Sequence, residues 1–312
     1  MPNEIDDAAP DELDPVHQVA ALLLEQGYVA DRPLATVLHL AKSLEVPVLL
    51  EGEPGVGKTA VAEALAAALG LRLVRLQCYE GLSAQHALYE WDYARQLLAI
   101  RMAEATSEGG DELDSRVFDS RFLLRRPLLE AIWPYDDSPV LLLIDEIDRA
   151  DEEFEALLLE VLSQFQVTIP ELGTIVATQR PMVVLTANRT RSLSDALRRR
   201  CLYHWIPFPS LDREIEIVQR RLPQVSERLA RHACMFVAAL RGGYYRKSPG
   251  VSETIDWLRA LTVLGAETLT VEGVHDTLGC LLKDSEDVGL FLDKDSVRVF
   301  GALGMHSEVP AT

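Results

Sequence analysis

From Val16 to about Leu44 the apolar residues, among them Val19, Leu22, Leu23, Val37, Leu38 and Leu40, recur at helical spacing with a break at Gly27. Two helices are therefore expected ahead of the first strand. Five short apolar or β-branched runs come next: VPVLLE (46–51), LRLVRLQ (71–77), PVLLLID (139–145), PMVVLTAN (181–188) and CLYHWI (201–206). They are mostly separated by helical patterns, and such near-continuous runs suit strands covered on both faces. The expectation is an α/β fold, an αβα sandwich around a five-stranded parallel sheet, over residues 16–209. After FPS (208–210) the strand runs stop. LDREIEIVQRRL, VSERLARHACMFVAAL, SETIDWLRALTVLG and TVEGVHDTLGCLL read as helices, punctuated by Pro223 and the Gly242 and Gly243 pair, which predicts a separate helical domain over 210–312.

Two stretches interrupt the alternation. Between LRLVRLQ and PVLLLID lie over sixty residues, including the aromatic-rich CYEGLSAQHALYEWDY, which read as an elaboration. FQVTIPELGTIVATQR, about residues 165–180, has two β-like halves around Pro170 to Gly173 and predicts a projecting hairpin. Ahead of all these elements, residues 1–15 carry six carboxylates, three prolines and no basic side chain, the composition of a disordered tail.

Charge and cysteine usage narrow the function classes. A formal charge of −19 repels phosphate backbones unless basic residues are tightly clustered, so no nucleic-acid partner is expected. Cys78, Cys201, Cys234 and Cys280 lie far apart, with neither a CxxC pair nor a histidine at metal-ligand spacing. The amino terminus lacks the pattern of a signal peptide, and no apolar run approaches the roughly 20 residues of a membrane span. A soluble, cytoplasmic protein with reduced thiols is the expectation.

The chemistry concentrates at the ends of the strand runs. GEPGVGKT, comprising Gly52, Glu53, Pro54, Gly55, Val56, Gly57, Lys58 and Thr59, sits between a strand run and a helical run and fits GxxxxGK followed by Ser or Thr. Gly55 and Gly57 allow turns closed to other residues, so that successive N–H groups can face phosphates at a helix N-terminus. Lys58 then reaches the β- and γ-phosphates and Thr59 ligates Mg2+, so this turn is read as a nucleoside triphosphate site. In LLLIDEID, Asp145 ends a strand where a carboxylate can hold the Mg2+ shell, and Glu146 is suited to activate a water. Asp151, Glu152 and Glu153 are read instead as acids favouring a helix N-terminus. The amide of Asn188, in LTANRT, can bond both the γ-phosphate and the attacking water. Arg198, Arg199 and Arg200 form a basic run in an acidic chain. They could neutralise charge during phosphoryl transfer, also from a neighbouring subunit, or simply pair with the acidic surface.

The order GEPGVGKT, LLLIDEID, LTANRT and ALRRRC, followed by a helical lid, resembles the AAA+ ATPases and most closely the MoxR family, over roughly residues 16–290. The resemblance implies a homo-oligomeric ring, commonly a hexamer, with ATP between subunits, and an insert at about residues 81–117. It makes Asn188 the first sensor and Arg200 the trans-acting finger, with Arg199 as second choice. MoxR proteins usually carry a second-sensor arginine early in the third lid helix. Here GVSETIDWLRA places Thr254 there, with Arg259 further along as a substitute. CYEGLSAQHALYEWDYARQLL, RFLLRRPLLEAI and DALRRRCLYHWIPFP look most like the branch associated with carbon monoxide dehydrogenase and related molybdenum hydroxylases. That branch implies a maturation chaperone acting on a protein client beside a partner with a von Willebrand factor A domain. Tyr79, Tyr89, Trp91 and Tyr93 could grip a substrate or merely pack. Three other readings stand beside the remodelling ATPase: a nucleotide-controlled binding module with incidental hydrolysis, a DNA-acting AAA+ motor and a small-molecule kinase.

Overall fold

The computed structural model describes residues 14–105 and 118–304 of the chain. The acidic segment up to residue 13 and the insert's residues 106–117 lie outside them. Pro15, assigned above to the tail, opens the first helix, at a position where its missing N–H is no loss.

Contacts divide the chain into two compact units: one of residues up to 22, 31–51 and 61–205, the other of 23–30, 52–60 and 206 onward. The first unit is built on nine strands: β1 (Val48–Gly52), β2 (Arg72–Gln77), β3 (Tyr89–Trp91), β4 (Leu123–Arg125), β5 (Val140–Asp145), β6 (Gln166–Ile169), β7 (Gly173–Val176), β8 (Met182–Ala187) and β9 (Leu202–Ile206). Five of them form the parallel sheet, in the order β2, β5, β8, β1, β9. The register places Leu50 beside Thr186 and Ile144 beside Leu185. β1 and β5 are buried along their whole length, as a strand with helices on both faces must be. β2 and β9 are edge strands, and their runs are only partly covered: β2 alternates buried Val74 and Leu76 with exposed Leu73, Arg75 and Gln77.

Helices α1 (Pro15–Glu25), α2 (Arg32–Leu44), α3 (Lys58–Leu69), α4 (Tyr93–Ala105), α5 (Pro127–Ile132) and α6 (Glu152–Gln164) fill the connections. α3 is alanine-rich and gains its helicity from propensity as much as from packing. α6 starts on Asp151, whose carboxylate accepts the Phe154 N–H at 2.9 Å, with Glu152 and Glu153 in the first turn. The core under the sheet joins Leu142, Ile144 and Leu185 to Leu128, Phe154 and Leu158. β6 and β7 pair as an antiparallel hairpin over the expected segment. β3, within the insert, forms a second antiparallel pair with β4, just beyond it, that the sequence did not announce. Trp91 is buried there, edge-on to Phe118 at 5.4 Å, so this member of the aromatic group is packing, whereas Tyr79 and Tyr93 are exposed.

The second unit is helical beyond β9: α7 (Leu211–Arg221), α8 (Glu227–Arg241), α9 (Val251–Val263) and α10 (Val271–Thr277). A further helical run, Ser285–Leu290 and Ser296–Ala302 joined through a π turn, adds to the four expected helices. Its Phe291 and Phe300 pack against Phe236, which also meets Trp257 at 5.3 Å. The buried indole N–H of Trp257 donates to Thr277 Oγ1 at 2.7 Å. No helix among the described residues is long and apolar enough to cross a membrane.

Candidate nucleotide site

The loop between β1 and α3 belongs by its contacts to the second unit. Gly55 and Gly57 have φ of +75° and +96°, the left-handed region that glycine enters without strain. Gly52 is fixed for another reason: a Cβ there would lie 2.5 Å from the carbonyl oxygen of Ile206. Lys58 is buried, and its Nζ donates to the carbonyls of Gly52 and Glu53, both at 2.8 Å. Thr59 is half-buried in the first turn of α3, Val56 is buried, and Glu53 and Pro54 are exposed. A loop with two left-handed glycines, a held lysine and a helix N-terminus is shaped for phosphate oxygens. We expect Gly52→Ala to force the chain apart at the end of β1, seen as a lower unfolding midpoint than for Ala60→Gly.

The first unit carries the carboxylates. Asp145 ends β5 nearly fully buried. Its Oδ1 accepts from Thr186 Oγ1 at 2.5 Å and its Oδ2 from the Arg75 guanidinium. Thr186 Oγ1 in turn accepts the Glu146 N–H at 2.9 Å, so one hydroxyl ties both acidic residues together. Glu146 adopts φ +56° without being glycine, a conformation costing of order 1 kcal/mol or more and found at functional sites. Its carboxylate accepts from Gln77 Nε2 at 3.0 Å, Arg149 at 3.1 Å and Asn188 Nδ2 at 3.3 Å. Thus Asp145, Glu146 and Asn188 are brought together. Burial, and then the neighbouring Asp145, Asp148 and Glu146, push the Cys78 thiol up to about 12, leaving it protonated and inert at neutral pH.

Sequence reasoning missed several side chains that hold this arrangement. Asp148 Oδ2 accepts from the backbone N–H groups of Asn188 at 3.1 Å and Thr190 at 2.7 Å, and from the Thr190 hydroxyl at 2.7 Å. Glu155 is buried, paired with Arg191 and accepting the Ser194 N–H at 2.9 Å. Glu51, the last residue before the phosphate loop, is buried and accepts from Arg198 at 2.6 Å and Tyr203 at 3.2 Å. The arginine run therefore divides: Arg198 is bound to Glu51, while Arg199 and Arg200 are exposed. Acidic residues next to strand ends were the available signal, but nothing in the spacing names their partners.

Magnesium with a nucleoside triphosphate suits these donors. Asp145 in the first unit and Thr59 in the second each offer a hard oxygen of the kind Mg2+ takes, and no cluster of three or more His, Cys, Asp or Glu able to hold a metal occurs among the described residues. Fold and site together define a P-loop nucleotide-binding protein. Residues 47–201 match the family model described as AAA domain (dynein-related subfamily). Among solved structures, the Thermotoga maritima RuvB Holliday junction branch migration motor aligns at 19% identity over 93% of this chain and 83% of that one, with a TM-score of 0.45. A single-residue variant of T. maritima RuvB aligns at 20% identity over 89% and 82%, with a TM-score of 0.46. The search of curated proteins gave no match.

Proposed function

We propose that the protein is an Mg2+-dependent ATPase of MoxR type. In this reading it works as a homo-oligomeric ring, a hexamer by resemblance, that remodels a protein client. The observation that carries the enzymatic part is Glu146, held in a left-handed turn by Gln77, Asn188 and Arg149 at the carboxyl end of a central strand. Ligands of open α/β sheets bind at that edge, and β1, β8 and β5 are neighbours in the sheet. Glu146 takes the proton of the attacking water, Asn188 orients that water, and Lys58 and the loop amides hold the phosphates. Thr59 and Asp145 would hold Mg2+, which would supply charge neutralisation at the phosphate oxygens. Arg200, exposed at the end of its helical turn, or Arg199 beside it, is offered to the site of a neighbouring subunit.

The client reading is a maturation step on a molybdenum hydroxylase such as carbon monoxide dehydrogenase, beside a von Willebrand factor A domain partner. It draws its support from the sequence stretches quoted above. We also propose the division into a nucleotide-binding domain, 16–209, and a lid, 210–312. The test of the ring is the hydrolysis rate per chain against protein concentration, expected to climb and then saturate. Arg200→Ala alone should be inactive and regain part of its activity when mixed with Lys58→Ala. A rate independent of concentration, with no rescue in the mixture, would mean that each chain is self-sufficient. Nucleotide binding without turnover at any concentration would favour a nucleotide-controlled binding module.

A further inference from the structure

Within the helical unit the phosphate loop is tied to the start of α9. The Gly55 carbonyl accepts the N–H of Val251 at 2.9 Å and of Ser252 at 3.2 Å. The approach is so close that a Cβ on Gly250 would lie 2.7 Å from Gly55 Cα and from Pro54 O, and one on Gly55 would lie 2.5 Å from Glu253 Oε2. Glu253 accepts the Gly250 N–H at 2.9 Å and so closes the turn at the helix start.

Behind this strap of residues 249–252 stands a buried polar group. Arg241 donates through Nε to the Pro249 carbonyl at 2.8 Å and through both terminal nitrogens to Glu214, at 2.6 and 2.8 Å. Thr254 Oγ1 lies 2.8 Å from Glu214 Oε1 and 3.1 Å from the Gly250 carbonyl. Glu214 and Thr254 are fully buried, and the guanidinium stacks 4.5 Å from the centre of the Phe208 ring. The network holds the strap at two points, the Pro249 carbonyl through Arg241 and the Gly250 carbonyl through the Thr254 hydroxyl.

We infer that Glu214, Arg241 and Thr254 are positioning residues for nucleotide binding, acting through the strap on the phosphate loop; this rests on the nucleotide-site reading above. The physical reason is preorganisation. A loop whose N–H groups must converge on phosphate binds more tightly when the cost of ordering it is met in folding rather than in binding. Thr254 stands where the family resemblance leads one to expect an arginine, and it points into the buried pair. α9 therefore acts on the nucleotide through the loop backbone, and Arg259, on the exposed face and paired with Asp256, is spared that task.

The test compares Thr254→Val, which removes only the hydroxyl, Thr254→Ser, which restores it, and Val251→Pro. Proline is tolerated at the first position of a helix, and Gly250 is already extended as a residue before proline must be. Val251→Pro thus keeps α9 but removes the N–H that reaches Gly55 and places a ring carbon in its way. Affinity is read by titration with a fluorescent ADP analogue and Mg2+, beside KM and kcat for ATP. The expected result is a Kd raised about tenfold in Thr254→Val, the worth of one buried hydrogen bond. Val251→Pro should show a larger rise, and Thr254→Ser should bind as the unaltered chain does, with kcat held within about twofold throughout. An unchanged Kd in Thr254→Val and Val251→Pro would overturn the inference, even with a lowered unfolding midpoint, and so would a fall in kcat at constant Kd. Failure of the unaltered chain to bind the analogue would instead overturn the nucleotide-site reading itself.

Discussion

Glu146→Gln is expected to slow ATP hydrolysis by a factor of about 10² to 10⁴, the usual worth of a positioned general base, while leaving nucleotide affinity within a few-fold. The substitution keeps the shape of the side chain and removes its capacity to take a proton. The surrounding donors set what else changes. Gln77, Arg149 and Asn188 all donate to this carboxylate, and an amide offers one oxygen where the carboxylate offers two. At least one donor must therefore turn away, which adds a modest rearrangement to the loss of the base. Single-turnover hydrolysis alongside a binding titration separates the two effects. Hydrolysis at the unaltered rate would remove Glu146 as base, and a collapse of binding would mean that its role is structural.

Glu214→Ala is expected to lower the stability of the helical unit by about 3–5 kcal/mol, the cost of leaving one member of a buried ion pair without its partner. Glu214 is fully buried, and the Arg241 guanidinium and Thr254 hydroxyl would both lose an acceptor. For a unit of this size that corresponds to a fall of roughly 10–20 °C in the unfolding midpoint. Replacing both charges, as in Glu214→Leu with Arg241→Met, should recover much of the loss, because the pair's desolvation cost disappears with it. Thermal unfolding of the single and double variants decides. A midpoint within a degree or two of the unaltered protein for Glu214→Ala would show that water reaches the guanidinium and that the pair is dispensable.

Both predictions depend on contacts that lie between segments far apart in the chain, and this is where the sequence stopped being informative. Local pattern made the five sheet strands, the hairpin and the phosphate loop legible, because each depends on neighbours within a few residues: apolar runs, turn residues, glycines free to take positive φ. β3 and β4 escaped because each is only three residues long and its partner lies beyond the insert's polar loop. The π turn at 291–295 escaped because its composition is that of any helix.

In the site the same division holds. GEPGVGKT and the Asp145 and Glu146 pair declared a phosphate-binding chemistry from residue types and spacing alone. Only the tertiary structure decided that Arg198 serves Glu51, that Thr186 joins Asp145 to Glu146, and that Thr254 turns into a buried pair. The reason is physical. Conformational preference is carried by adjacent residues, whereas the partner of a buried charge is whichever side chain the strand register and helix packing bring within hydrogen-bonding distance.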